Sequence, residues 1–154
     1  FFTGPGKTVL ARDELLTEIL VPAPAPHTGK HYIKHGRRKA MELATVGVAV
    51  SLQLQQGGLR QVAIVLGAGA PTAVHARRTE ALLRGHALTP ALLAEAGTMA
   101  MQECTPISNV RASADYRRDM VGVLVQRALV QALGHAGHAL PVTPSANQNM
   151  QEKS

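Results

Sequence analysis

The most regular alternation in the chain begins at Val50. Val50, Leu52 and Leu54 fall on one side and Ser51 and Gln53 on the other, within a Val-rich stretch over residues 45–54. Period-two patterning of this kind predicts a half-buried strand. Gly57-Gly58 follows as a hairpin signal, and residues 60–66 read as the returning strand. Residues 31–35 predict a further short strand, so the first half forms a sheet of three or four antiparallel strands. The period then changes. Residues 74–84 predict a helix ended by Gly85. Thr89 is an N-cap with Pro90 in the first helical turn, and that helix runs through Leu92, Leu93 and Met99 towards Glu103. Ser113 caps a third helix with Asp115 in its first turn, where the helix dipole favours an acid. Tyr116, Met120, Leu124 and Ala128 form one column of this helix, Val121, Val125 and Leu129 the next, and it ends near Gly134. Strands first and helices after predict an α+β fold: a small antiparallel sheet with about three helices packed on one face.

The two ends carry less pattern. Residues 1–8 are glycine-rich and read as a loop. Residues 13–16 read as a turn leading into a short strand over 18–21, which Pro22 ends. Pro22, Pro24 and Pro26, with Gly29 after them, mark an irregular connection. From about Pro141 the chain has no periodicity and reads as a disordered tail. No internal repeat is visible.

Composition narrows the chemistry. A chain of 154 residues fits one domain, and 45 % hydrophobic residues are enough for a core. Aromatics are only 3 %, with no Trp, which disfavours stacking platforms for bases. The single Cys104 excludes an internal disulfide and a self-contained iron–sulfur or Cys-rich zinc site, and fits a reducing, cytoplasmic setting. No apolar run approaches the ~18 residues of a membrane helix, and no charged-then-apolar leader is present. Residue 1 is Phe, so the chain reads as processed or cut from something longer. The formal net charge of +6 suits nucleic acid, an acidic partner or a phosphate-bearing cofactor, without choosing among them.

Two glycine motifs invite a nucleotide reading and do not sustain it. Gly4-Pro5-Gly6-Lys7-Thr8 ends like a phosphate loop, but Phe1 stands where the loop needs its first Gly. Val65-Leu66-Gly67-Ala68-Gly69-Ala70-Pro71 begins like a dinucleotide fingerprint, but the third Gly is missing and Pro71 stands where a helix should form. Both read as turns. None of the seven histidines is in a metal-site context, and no nucleophile–base arrangement is recognisable. The strongest charge run is Lys30-His31-Tyr32-Ile33-Lys34-His35-Gly36-Arg37-Arg38-Lys39. It suits nucleic-acid phosphates, a cofactor pyrophosphate or a solvated loop. Strand alternation puts Lys34 and His35 on opposite faces, so only some of these charges can serve one site.

Several segments, taken in order, resemble one family. They are Phe2-Thr3-Gly4-Pro5-Gly6-Lys7-Thr8-Val9-Leu10, Asp13-Glu14-Leu15-Leu16 and Ile19-Leu20-Val21-Pro22. They continue with Tyr32-Ile33-Lys34, Arg37-Arg38-Lys39-Ala40-Met41-Glu42-Leu43-Ala44-Thr45-Val46-Gly47-Val48-Ala49, Gly67-Ala68-Gly69-Ala70-Pro71-Thr72-Ala73 and Val110-Arg111-Ala112-Ser113-Ala114-Asp115-Tyr116-Arg117-Arg118. Together they resemble the C-terminal domain of the FAD-binding medium subunit of molybdenum hydroxylases, the xanthine and carbon monoxide dehydrogenases. The resemblance implies a junction from an absent FAD-binding domain over residues 1–22, a C-terminal α+β domain over 23–140, and a tail over 141–154. It implies FAD held mostly by the preceding domain, with molybdopterin in a large partner subunit and [2Fe-2S] clusters in a small one. Lys34 then stands beside the flavin, with Arg37 and Arg38 as further cofactor-side cations and Lys39 next to them. No catalytic residue and no metal ligand is assigned to this chain, nucleic acid and membrane are not expected partners, and the fragment alone is expected to be inactive. In the animal enzymes the loop over residues 36–42 is more acidic, whereas Ala40 and Met41 stand here, which leaves the electron acceptor open. The rival readings are a cofactor-free interaction or dimerisation domain and a basic nucleic-acid-binding module.

Overall fold

The computed structural model describes residues 1–38 and 41–140; the expected tail over 141–154 lies outside the described residues. Its main sheet has four antiparallel strands in chain order: β3 (Thr28–His35), β4 (Val46–Gln55), β5 (Gly58–Gly67) and the short β6 (Val74–His75). Before it, β1 (Phe2–Gly4) and β2 (Lys7–Thr8) form a separate two-stranded ladder. Residues 1–8 are therefore a small hairpin and not a plain loop. Gly6, at φ 67°, supplies the left-handed turn residue, and strands this short leave no alternation to read. The strand expected over residues 18–21 does not form. Ile19, Leu20 and Val21 are each more than three-quarters exposed, and no other strand pairs with them.

The central hairpin follows from its pattern. Val46, Val48, Val50, Leu52 and Leu54 of β4 and Leu59, Val62, Ile64 and Leu66 of β5 are all buried. The turn is one residue earlier than the glycine pair marks. Gln56 and Gly57 occupy it, at φ 51° and 80°, the two left-handed positions whose twist matches that of the strands.

Three helices cover the same face: α1 (Arg77–Leu83), α2 (Pro90–Glu103) and α3 (Ala114–His135). Thr89 Oγ1 accepts the Leu92 N–H at 3.2 Å and Ser113 Oγ accepts the Tyr116 N–H at 3.2 Å, as their cap positions predict. α1 begins after Ala76, which has no capping side chain. Glu103, at the end of α2, caps it from outside, accepting the Arg78 and Thr79 N–H groups at 2.8 Å each and the Thr79 hydroxyl at 2.7 Å.

The buried stripe of α3 is Val121, Leu124, Val125, Ala128, Leu129 and Ala132, while Tyr116 is 45 % exposed and does not extend it into the first turn. Backbone-to-backbone closeness sets how the layers meet. A Cβ on Gly29 would fall 1.7 Å from the Ala132 carbonyl oxygen, and one on Gly97 would fall 2.9 Å from that of Gly122. Glycine lets β3 touch α3 and α2 touch α3.

Candidate functional site

With all three helices on one side, the other face of the sheet is open. The strand register arranges it in rows: Lys34–Gly47–Gly67, Tyr32–Ala49–Val65, Lys30–Ser51–Ala63 and Thr28–Gln53–Gln61. Lys34 and His35 do point to opposite faces. The Lys34 side chain is exposed and has no hydrogen bond or ion pair to any described residue. Its row continues through two glycines. The Tyr32 ring, 59 % exposed, lies over Gly47, where an added Cβ would come within 2.9 Å of the Tyr32 hydroxyl. A Cβ on Gly67 would meet only the Gly47 backbone, at 3.7 Å or more. The result is a low shelf, bare backbone at Gly67 and covered by the Tyr32 ring at Gly47, beside the Lys34 ammonium group. Next to it, a hollow of about 390 Å³ runs over Ala49, Ser51, Ala63 and Val65.

Arg37 and Arg38 are placed differently from Lys34. Both belong to the loop that leaves β3, and Glu42 organises the described part of it. Glu42 Oε1 accepts Arg37 Nε–H at 3.1 Å and its Oε2 accepts the Arg38 N–H at 2.7 Å. The Arg38 guanidinium donates to the Met41 carbonyl at 3.0 Å. Arg37 and Arg38 are thus engaged within their own loop, Lys34 has no partner among the described residues, and Lys39 lies outside them. Desolvation pushes the Glu42 carboxyl up, but hydrogen bonds from the Arg38 backbone, the Arg37 side chain and the Arg37 backbone, with the Arg37 charge, outweigh it and hold it below its ordinary range. A depressed carboxyl stabilises above its unfolded value, about 4.3, and that contribution disappears as pH falls through the lower folded value. The Arg38 amide resonance is therefore expected to titrate on acidification at a pH below that of an ordinary glutamate, a transition that Glu42→Gln should abolish.

The loop's two feet are held by adjacent residues of α3, which sequence reasoning did not single out for this. The Thr45 N–H donates to the His35 carbonyl at 2.8 Å, closing the base. His35 Nε2 and the Tyr116 hydroxyl share a hydrogen bond of 3.0 Å. Arg117, 3 % exposed, donates from Nη1 to the Thr45 carbonyl at 3.0 Å and from Nη2 to Asn109 Oδ1 at 2.7 Å. Nothing local in the sequence marks these pairs, whose members lie 81 and 72 positions apart.

The two nucleotide-like motifs are structural. Lys7 lies in the exposed β2, and no helix follows it. Gly69 is buried, its carbonyl accepting the Thr105 N–H at 2.8 Å. Cys104 is buried beside it, with its thiol donating to the Met101 carbonyl at 3.3 Å. Burial pushes that thiol's pKa up, against the pull of the Arg118 charge and its own backbone hydrogen bond. A raised pKa keeps the thiol protonated and a poor nucleophile at neutral pH. Among the described residues no three His, Cys, Asp or Glu side chains converge on a possible metal position, and no helix is long and apolar enough to cross a membrane.

An open four-stranded antiparallel sheet backed by three helices matches a known domain. The family model of the CO dehydrogenase flavoprotein C-terminal domain matches residues 31–132. The chain belongs to this family. Among curated relatives, the carbon monoxide dehydrogenase medium chain of Hydrogenophaga pseudoflava is 36 % identical over 129 residues, covering 84 % of this chain and 45 % of that one. The xanthine dehydrogenase FAD-binding subunit of Escherichia coli O157:H7 is 29 % identical over 141 residues, covering 91 % and 48 %. Among solved structures, carbon monoxide dehydrogenase from Hydrogenophaga pseudoflava superposes with a TM-score of 0.83 at 38 % identity, covering 88 % of this chain and 47 % of that one. Quinoline 2-oxidoreductase from Pseudomonas putida 86 gives 0.81 at 29 %, covering 90 % and 47 %. The chain thus spans about half the length of the curated relatives it matches.

Proposed function

We propose that this chain is the C-terminal domain of the FAD subunit of a cytoplasmic, multi-subunit molybdenum hydroxylase, and that it forms one wall of the flavin site. The observation that carries this reading is the Lys34–Gly47–Gly67 row: a cation without a partner among the described residues beside a low shelf of glycine backbone and the Tyr32 ring, in a chain of this family. A flat ring system that gains negative charge fits such a surface. FAD, when bound, supplies the relay that accepts electrons from [2Fe-2S] clusters and passes them to an acceptor. The part of this chain is electrostatic and positional. The Lys34 backbone is held in β3, and its ammonium, with no competing partner among the described residues, can turn towards negative charge that develops on the ring. Arg37 and Arg38 add positive potential beside it, which favours a phosphate-bearing acceptor such as a dinucleotide, although their hydrogen bonds to Glu42 and Met41 limit how far either can reach.

Residues 1–22 fit the role of a junction. Leu15, Ile19, Leu20 and Val21 are each at least 77 % exposed. Exposed apolar runs of this kind mark surfaces that find a partner elsewhere, here the preceding FAD-binding half of the subunit. Molybdopterin and the [2Fe-2S] clusters would reside in the large and small partner subunits, and the large subunit would select the substrate, a purine or other N-heteroaromatic.

Lys34→Ala in the assembled enzyme is expected to slow flavin reoxidation on the order of tenfold, the effect of one lost charge beside a ring that gains negative charge, or to lower the flavin potential. Hydroxylation at molybdenum, followed by single-turnover reduction, should be unchanged. Unaltered reoxidation and potential in a fully flavinated variant would remove Lys34 from the site. A parent protein that folds with its upstream residues yet never binds flavin would overturn the whole reading.

A further inference from the structure

Arg117 is an expensive residue to place where it is. It is 3 % exposed, and no carboxylate lies within 4 Å of it among the described residues. Its charge is met by two neutral oxygens, those of Thr45 and Asn109, and its Nε has no partner. A buried cation without a counterion costs stability that an apolar residue of similar size would not. Stability alone does not account for an arginine here. Its geometry does. Arg117 holds the carbonyl of Thr45, the far foot of the loop, while its neighbour Tyr116 holds His35, the near foot. The two feet bond each other directly, Thr45 N–H to His35 carbonyl. Asn109, which Arg117 also grips, accepts the Arg111 N–H at 2.9 Å and bridges to Ala112, tying the turn before α3 into the same unit.

We propose that Tyr116 and Arg117 are positioning residues: the first turn of α3 clamps both feet of the loop bearing Arg37 and Arg38 and so fixes that loop relative to Lys34. This rests on the reading of the Lys34 shelf as the flavin wall and adds what sets its geometry. Lys34 immediately precedes the clamped His35, and its cross-strand partner Gly47 lies two residues after Thr45. A slip at either foot therefore moves the cations with respect to the shelf. Neither clamp residue need touch the flavin or the acceptor. Rigid feet with a positioned charge between them are what orientation-dependent transfer requires, and small misplacements there are costly.

The test has two arms. In the 154-residue chain, amide exchange over residues 36–38 and 41–45 is measured for Tyr116→Phe, Arg117→Met and Arg117→Lys. Tyr116 is on the surface, so Tyr116→Phe should leave the melting temperature unchanged, yet exchange should rise on the order of tenfold. Arg117→Met should do the same, with Arg117→Lys restoring part of the protection. In the assembled enzyme the same variants should raise KM for the electron acceptor more than they lower kcat, leaving reduction by substrate unchanged. Wild-type exchange in folded Tyr116→Phe and Arg117→Met proteins, or wild-type acceptor KM in both, would overturn the clamp. If Lys34→Ala still slowed reoxidation in that case, the flavin-wall reading would survive it. Faster exchange in the clamp variants, combined with no effect of Lys34→Ala on reoxidation or potential, would keep the clamp and overturn the flavin-wall reading.

Discussion

Gly29→Ala is expected to lower the unfolding free energy by about 3 kcal/mol or more, at the upper end of what overpacking costs, and the melting temperature by roughly 10 °C. The reason lies in what the added methyl group meets. Its carbon would sit 1.7 Å from the Ala132 carbonyl oxygen and 2.8 Å from both the Ala132 carbonyl carbon and the Ala136 nitrogen. All three are backbone atoms of the end of α3, so no side-chain rotation relieves the clash and the helix must move from β3. That movement would also break the bond of 2.7 Å in which His135 Nδ1 donates to the Lys30 carbonyl on the outer edge of β3, leaving an edge-strand acceptor open. Gly4→Ala is the control. A Cβ there meets nothing within 4 Å and no positive φ is involved, so its effect should stay within about 0.5 kcal/mol. Denaturant unfolding of the two variants side by side decides the matter, and a Gly29→Ala protein as stable as Gly4→Ala would show that α3 is not held against β3 by this approach.

Gly29 also marks where sequence reading stops. Its place after three prolines reads as an irregular connection, and in the fold it belongs to β3. The requirement for glycine comes from a residue more than a hundred positions away. What was legible is what local chemistry decides. The alternation from Val50 was readable because β4 is an inner strand with one face under helices and the other open. Thr89 and Ser113 were readable because a cap is a bond between a residue and the backbone two or three positions on. The separation of Lys34 from His35 follows from the pleat alone. Residues 18–21 misled for the converse reason: a β-prone run becomes a strand only where an edge accepts it. The Tyr116 column misled because helical spacing says which residues share a face, not where that face leaves the core. Lys34 was singled out through resemblance, and alternation placed it on the face opposite His35. Glu42 had a faint signal, an acid close in sequence to Arg37 and Arg38, while the Tyr116 and Arg117 clamp had none. Opposite-charge pairs a few residues apart are common, and only the fold shows which of them build a loop.

The second large effect is expected at Glu80, on the opposite side of the sheet from β3. Glu80 is 3 % exposed. Its Oε1 accepts the Ile64 N–H at 2.9 Å and bonds His75 Nδ1 at 2.9 Å, while Oε2 lies 3.9 Å from Arg77 Nη1. Ile64 explains the need. β6 pairs only with Val65 and Leu66, so the ladder stops just before the N–H of a residue with no exposure. Glu80 supplies the missing acceptor, as the Ala76 N–H supplies a donor to the Ile64 carbonyl at 2.9 Å. Glu80→Ala strands a buried donor and releases His75, at a cost of about 3 kcal/mol. Glu80→Gln separates hydrogen bonding from charge. Its amide oxygen can still accept from Ile64 and His75, and what it loses is the attraction to Arg77, whose side chain is 76 % exposed. Exposed pairs contribute little, so Gln should cost only about 1 kcal/mol. Amide exchange at Ile64 gives the local reading: fast in the Ala variant, near wild type in the Gln variant. Equal losses in the two variants would mean that charge, not the capped N–H, is what Glu80 provides. Glu80 lines the cavity of about 660 Å³ at the end of the open face bounded by Thr28, Lys30 and Gln53. The Lys34 row lies beyond it along β3, with Lys30 and Lys34 about 13 Å apart on an extended strand. Neither Glu80 variant should therefore change flavin reoxidation, which separates stability held at β6 from the role proposed for Lys34 at the other end of the same sheet.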